Sequence, residues 1–318
     1  LIRDNPEMIK ANCCRRGCDV DIDAIVSEDQ KYRELVQETE TLRADRNRLS
    51  KECRDNPAAR EQVKEIKEKL SVIETEQAEL KKSIDEKLTW LPNLLADDVP
   101  DGDDDEANLE LRKEGVLPEF DFKVKDHQEL GELLDIIDTQ RGAKVAQSGF
   151  YYWKGKGAQL VNALFFWTQS ELIKRGFTNF VTPCVAKEQT LFGTGYLPFF
   201  ADQTYALEGE DLALIGTSEQ TLVGYHADEV LDAAELPLRY TAYSPCFRTE
   251  SGSYGKASRG IFRVHQFQKV EQIIFCHPSE SVRYHEECLS NEEHLLEQLG
   301  IPYRVVNVCI GDLGAPGY

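Results

Sequence analysis

The sequence predicts an α+β protein in which an N-terminal antiparallel two-helix coiled-coil arm precedes a body of mixed helix and sheet. Three observations carry this. Leu35, Leu42 and Leu49 repeat every seven residues, and Val63, Ile66, Leu70, Ile73, Leu80, Ile84 and Leu88 follow at steps of three, four or seven, the spacing of a coiled-coil seam. A dense acidic run with proline and glycine, residues 97–106, reads as a solvated connection. Beyond it, short alternating segments, turns and intermittent helical stripes give enough chain for one substantial mixed core.

Taken in order, residues 5–18 read as a short leading helix. The arm follows over residues 27–90, interrupted by Asp55-Asn56-Pro57, a helix stop and a proline start. Two antiparallel helices of about 30 residues result, each roughly 45 Å long. The acidic linker ends near the boundary, giving a first domain over 1–105 and a second over 106–318. In the second, Leu160, Val161, Leu164, Phe165, Trp167, Leu172 and Ile173 recur at helical spacing over 158–175. Thr217-Ser218-Glu219 has the form of a capping box opening a helix over 220–233.

Charge bounds the function. Lys and Arg number 37 against 57 Asp and Glu, a net charge of −20. Composition of this kind does not nominate a nucleic-acid binder, because phosphate contacts need cations. The arm is the exception: 14 Lys and Arg against 16 Asp and Glu, whereas the rest holds 23 against 41. Arg43, Arg46, Arg48, Lys51 and Arg54 concentrate near its distal end, where a solvated coiled-coil face would also account for them.

Nine scattered cysteines, an odd number, fit reduced thiols in a cytoplasmic protein. Cys276-His277 and His285-x-x-Cys288 are weak metal spacings, better read as buried thiols and surface histidines, so no metal ligand is assigned among these residues. No run approaches the roughly 18 apolar residues of a membrane span.

The segment 246–271 reads as two strands joined by a glycine-rich loop. With strand periodicity taken from Ile261, Arg263, His265, Phe267, Lys269 and Glu271 share one face, and Phe262, Val264, Gln266, Gln268 and Val270 the other. Arg248 and Glu250 share a face by the same period. Gly252, Gly255 and Gly260, with Lys256 and Arg259 between them, suit a turn that approaches phosphates. Phe267 and Glu271 would lie about 13 Å apart, comparable to an adenylate carrying a small acyl group. An exposed ribbon with solubilising cations is the alternative on these residues alone.

Phe247-Arg248-Thr249-Glu250, Arg259-Gly260 and His265-Gln266-Phe267 together resemble motif 2 of the class II aminoacyl-tRNA synthetases, and within them the seryl-tRNA synthetases. Four further segments match in order over nearly the whole chain. Gly193-Thr194-Gly195-Tyr196-Leu197-Pro198 is similar to the element preceding the serine pocket, though by itself only a turn. Ile215-Gly216-Thr217-Ser218-Glu219 resembles the Thr-x-Glu loop. Gly176-Phe177-Thr178-Asn179-Phe180-Val181-Thr182-Pro183 resembles motif 1, and the arm is the fourth.

The resemblance implies a class II antiparallel β-sheet catalytic domain flanked by helices, and an enzyme that uses ATP and Mg2+ to activate L-serine and transfer it to tRNA(Ser), with tRNA(Sec) left open as a second acceptor. Arg248 becomes the catalytic residue, on the α-phosphate and the attacking carboxylate. Thr249, Glu250, Val264 and Phe267 join it in the ATP site, Phe267 under adenine and Glu250 on its amino group. Thr217, Ser218, Glu219 and Glu271 become the L-serine site. Arg43, Arg46, Arg48, Lys51 and Arg54 become candidates for tRNA, which the family's arm grips at the elbow and variable arm. Motif 1 implies a homodimer. The loop Gly255-Lys256-Ala257-Ser258-Arg259-Gly260 and the Gly216-Thr217 pair depart from common bacterial forms without removing any of these residues. Gly311-Asp312-Leu313-Gly314-Ala315-Pro316-Gly317-Tyr318 resembles the segment before the family's third motif, so these 318 residues alone are expected to be inactive. The alternatives are a non-catalytic paralogue acting as a dimeric RNA-binding or scaffolding protein, against which the retained site residues speak, and a ligase that loads a carrier protein, against which the arm speaks.

Overall fold

A computed structural model describes residues 1–52, 56–250 and 260–318. Its contacts form two units, Leu1–Leu109 with Asn307–Tyr318, and Glu110–Val306. The sequence reading keeps 307–318 with the body; the structure groups them with the first unit, where Asn93 N donates to Ala315 O (2.9 Å) and Asn307 Nδ2 to Asp98 O (2.8 Å).

In the first unit, α1 (Pro6–Arg15) leads into α2 (Ile22–Glu52) and α3 (Pro57–Thr89). Pro57 sits at the helix start, where its missing N–H costs nothing, and the Asn56 side chain accepts from Ala58 N and Ala59 N at 3.0 and 3.4 Å. Ion pairs join Glu28 to Lys87, Lys31 to Glu76 and Glu38 to Lys69, so partners descend α3 as they climb α2, which makes the pair antiparallel. At the arm's root, Ile9, Cys13, Ile22, Ile25 and Ile84 form a buried cluster. Leu70 and Ile73 are also buried, whereas Leu88, the last residue of the predicted seam, is exposed.

One seam layer is polar. Thr39 lies between Leu35 and Leu42 at the four-three spacing of core positions and is buried; Gln77 Nε2 donates to its hydroxyl at 2.9 Å. Reading only apolar residues passes over this layer, a kind of polar pair that fixes register at a cost in stability.

The second unit comprises β1 (Leu109–Glu114), α4 (His127–Leu133), β2 (Ile137–Asp138), α5 (Thr139–Ala146), β3 (Tyr152–Trp153), α6 (Lys156–Lys174), β4 (Thr178–Val181), β5 (Val185–Ala186), α7 (Glu188–Gly193), β6 (Ala213–Leu214), α8 (Glu219–Gly224), β7 (Leu238–Phe247), β8 (Gln266–Phe275), α9 (Ser281–Gln298) and β9 (Tyr303–Asn307). Its largest described sheet has the order β4-β7-β8, with β4 parallel and β8 antiparallel to β7.

Strand alternation gives that sheet two different faces. On one, Tyr243 meets Phe165 of α6 (ring centroids 4.8 Å), Arg239 binds Glu287 of α9 through two contacts (2.6 and 3.0 Å), and Gln272 donates to Cys288 O of α9 (3.0 Å). Helices α6 and α9 therefore cover it. On the other, Tyr240 and Ala242 pack with Leu222 of α8. Next to them, Ser244 and Cys246 are small and buried, opposite Lys269 and Phe267 in register. Small residues on one strand and long ones on its neighbour leave a floor on which a ligand could lie.

Candidate active site

The loop 215–219 is held against the end of β7 by the backbone. Phe247 N donates to Ile215 O (2.8 Å), and Ile215 N donates to Cys184 O (3.0 Å). Gly216 N donates to Oε1 of Gln220, a buried side chain, at 3.0 Å. A Cβ at Gly216 would stand 3.8 Å from Arg248 Nε, ordinary contact, so glycine is not sterically required there.

Thr217 links this loop to the sheet. Its hydroxyl donates to Glu271 Oε2 at 2.7 Å and accepts from Glu219 N at 3.2 Å. The reciprocal capping box does not form, since Ser218 occupies the N-cap without a side-chain bond, but the Thr217 hydroxyl does satisfy the first helix amide, that of Glu219, while donating to Glu271. Nor does the helix run over 220–233. It ends at Gly224, and the chain turns at Asp228 with φ +60°, a left-handed conformation that a right-handed helix cannot include.

Each carboxylate here already has a donor. Glu271 takes the Thr217 hydroxyl and pairs with Lys269. Glu219 accepts from the Tyr196 hydroxyl at 3.0 Å. Glu250 pairs with Arg263. The Arg248 guanidinium lies over the Phe267 ring, 5.2 Å from its centroid, a cation–π contact on the ring the resemblance assigns to adenine. Burial pushes the Tyr196 phenol well above the usual tyrosine range, the negative charges of Glu219 and Glu271 push it further, and Arg248 opposes them. Burial likewise raises the Cys246 thiol in the floor.

The predicted strand periodicity is too long. β8 begins at Gln266, so Phe267, Lys269 and Glu271 share a face, but Arg263 and His265 lie before the strand. His265 turns elsewhere: its ring stacks on Phe150 (centroids 5.4 Å), and its Nδ1 lies 3.1 Å from Arg248 O. Gly149, at φ +86°, makes room for it, since a Cβ there would fall 2.3 Å from the ring. Arg248 and Glu250 do not share a strand face either, because β7 ends at Phe247 and Glu250 has φ +52°.

Among the other candidates, Thr249 donates its hydroxyl to Asp202 O and its N–H to Gln203 O (3.0 Å). Val264 is buried. Ser218 is fully buried, and its Oγ meets no partner among the described residues. On the arm, Arg43 pairs with Glu74 and Arg48 with Asp45, both at 2.9 Å; Arg46 reaches Asn47 Oδ1 at 3.5 Å, and Lys51 is exposed. Arg54, and the loop residues Gly252, Gly255, Lys256 and Arg259, lie outside the described residues. Sequence reasoning missed the part played by Tyr196, quoted only within a turn motif. Nothing local signals that its hydroxyl reaches a carboxylate 23 residues on. Among the described residues no three His, Cys, Asp or Glu side chains gather to hold a metal ion, and no helix is long and apolar enough to cross a membrane.

Comparison with known proteins identifies relatives over the whole chain. Residues 203–318 match the tRNA synthetase class II core domain (G, H, P, S and T), and residues 1–95 match the seryl-tRNA synthetase N-terminal domain. The serine–tRNA ligase of Dictyoglomus turgidum is 42% identical over 99% of this chain and 76% of its own length; that of Treponema denticola is 41% identical over 100% and 77%. The crystal structure of seryl-tRNA synthetase from Pyrococcus horikoshii complexed with ATP superposes with a TM-score of 0.92 at 37% identity, covering 99% of this chain and 77% of that one. The cytoplasmic serine–tRNA ligase from Naegleria fowleri in complex with AMP gives 0.85 at 31%, covering 98% and 74%. Fold and core-domain match define a class II aminoacyl-tRNA synthetase. With the N-terminal match and these relatives, the chain belongs to the seryl-tRNA synthetase family.

Proposed function

We propose that this protein activates L-serine with ATP and transfers it to tRNA(Ser). The observation that supports this most is the Thr217–Glu271 hydrogen bond, which joins the Thr-x-Glu loop to the motif 2 strand across 54 residues. Thr217 and Glu219 receive the ammonium group, and Glu271 the side-chain hydroxyl. Alanine is then rejected because buried polar groups would be left unpaired. Arg248 holds the serine carboxylate against the α-phosphate, its planar fork suited to two oxyanions at once. The carboxylate oxygen attacks the α-phosphorus as the bond to pyrophosphate breaks, and a tRNA ribose hydroxyl then attacks the seryl carbonyl and releases AMP. Catalysis is positioning and charge neutralisation, with no covalent enzyme intermediate. Phe267 stacks adenine, with Val264 and Thr249 shaping the wall beside it. Glu250 accepts from the adenine amino group once Arg263 yields. The described residues do not gather a donor set for Mg2+, so no step is assigned to the ion; bound with ATP, it would supply neutralisation of phosphate charge.

The arm cations Arg43, Arg46, Arg48, Lys51 and Arg54 contact tRNA phosphates, and tRNA(Sec) is a second acceptor to test beside tRNA(Ser). Phe166 on α6 and Val181 on β4, 72% and 95% exposed, belong to a homodimer interface in the cytoplasm. The decisive experiment is serine-dependent ATP–pyrophosphate exchange by the full-length protein beside its Arg248→Ala variant. Exchange lost in the variant supports the reading; no exchange with any amino acid overturns it in favour of an RNA-binding paralogue.

A further inference from the structure

We infer that Tyr196 is a positioning residue for the amino-acid site, orienting Glu219 to receive a primary ammonium group. The inference rests on the reading of Thr217 and Glu219 given above. It deepens that reading by adding a residue that none of the matched motifs requires to be tyrosine.

The ring is fixed before any ligand arrives. After α7, the N–H groups of Tyr196 and Leu197 both return to Leu191 O (2.9 and 3.2 Å), with Gly195 at φ +78° in the turn. The Tyr196 side chain packs against the buried cluster of Ala186, Leu191, Ala213 and Ile215, and its ring meets Phe200 with centroids 5.7 Å apart. A phenol held this way has one free torsion, the hydroxyl rotor, and its proton goes to Glu219 Oε2 at 3.0 Å.

Glu219 needs such a hold. Its own N–H is fixed to Thr217, but its side chain has three torsions, and the helix it opens is only six residues long. A carboxylate has about four lone-pair directions; the phenol takes one and sets the plane of the rest. Because burial and nearby carboxylates keep the phenol protonated, the donor does not vanish in alkaline buffer. The loop is thereby left with acceptors, a Glu219 oxygen and the phenol lone pairs. Two or three acceptors at fixed directions suit a primary ammonium and disfavour a secondary or acylated amine.

Tyr196→Phe removes only the hydroxyl and keeps the packing ring. In steady-state exchange by the full-length protein, the expected result is a KM for serine raised about tenfold with the KM for ATP unchanged, the size expected for a hydrogen bond to a charged group acting through one intermediary. Tyr196→Gln, whose amide can donate to Glu219, recovers part of the loss. Inhibition by 3-hydroxypropionate, which lacks the ammonium, is the same in wild type and Tyr196→Phe. Equal changes in both KM values, no change in either, or an equal loss of the inhibitor's affinity overturns the inference. Glu219→Gln separates the two levels: if it leaves serine KM unchanged, the amino-acid-site reading itself fails, whereas if it raises serine KM and Tyr196→Phe does not, only the role of Tyr196 fails.

Discussion

On the arm, Arg43 meets Glu74 through side chains that are 54% and 48% exposed, while in the body the carboxylates of Glu250 and Glu271 are 12% and 17% exposed and paired with Arg263 and Lys269. Both are ion pairs, yet they do different work. Exposed pairs contribute about 0–1 kcal/mol and are screened by salt, so an incoming polyanion can take over their cations at little cost. Carboxylates this far buried cannot be left bare, because losing a partner there costs about 1–3 kcal/mol or more. The site is thus held ready by donors of its own chain, which a ligand must replace or join, whereas the arm's exposed cations can change partners at little cost.

The sharpest way to break this comparison is at Arg248. Arg248→Ala should lower serine-dependent exchange by about a thousandfold, the scale for removing a charge-stabilising group at a reacting centre. Retention within tenfold would place the chemistry elsewhere. Next, Glu271→Ala should reduce kcat/KM for serine about a hundredfold, and Thr217→Val about tenfold, each with ATP binding preserved. A parallel loss of ATP affinity would make the Thr217–Glu271 pair a structural strut.

A smaller effect tests the arm's interior. Gln77→Leu should cost about 1 kcal/mol in urea unfolding, because the Thr39 hydroxyl is left buried without its partner, and adding Thr39→Val should recover most of it. Additive losses in the double variant would show that the layer does not act as a pair.

In the body, the hydrogen bonds from Arg239 hold the Glu287 carboxyl below its ordinary value of 4.5. Its stabilising share is therefore complete above about pH 4.5 and is lost as pH falls through the depressed value. Unfolding midpoints from pH 6 to 3 should fall less steeply in Arg239→Met than in the wild type. The smallest effect belongs to the exposed pairs: Arg43→Ala or Arg48→Ala should each reduce the salt dependence of tRNA affinity by about one phosphate contact.

The same contrast explains what was legible in the sequence. The arm is local, so heptad spacing and the Asn56-Pro57 start predict its two helices to within a few residues. Even there Thr39 and Gln77 escaped, because a polar seam residue is recognisable only beside its partner 38 positions away. The hairpin strands are visible as alternation, but not where alternation stops: His265 is held by Gly149 and Phe150, and Glu250 takes a positive φ beyond the end of β7 and pairs with Arg263. The predicted helix over 220–233 is overlong because apolar spacing outweighs the stop signals already present, Gly224 at the observed end and Asp228, a residue type that tolerates left-handed backbone. Thr217 and Glu271 were each named, yet no spacing rule joins residues 54 apart.

The Thr39–Gln77 layer also makes the arm a ruler. Sliding α2 against α3 by one heptad would set the Thr39 hydroxyl against Leu70 or Ile84 and Gln77 against Tyr32 or Arg46, so the Thr39–Gln77 bond forms in one register alone. Arg43, Arg46 and Arg48 then stand a constant number of helical turns from the arm's root, and under the proposed tRNA reading the arm would measure a substrate's dimension as well as its charge.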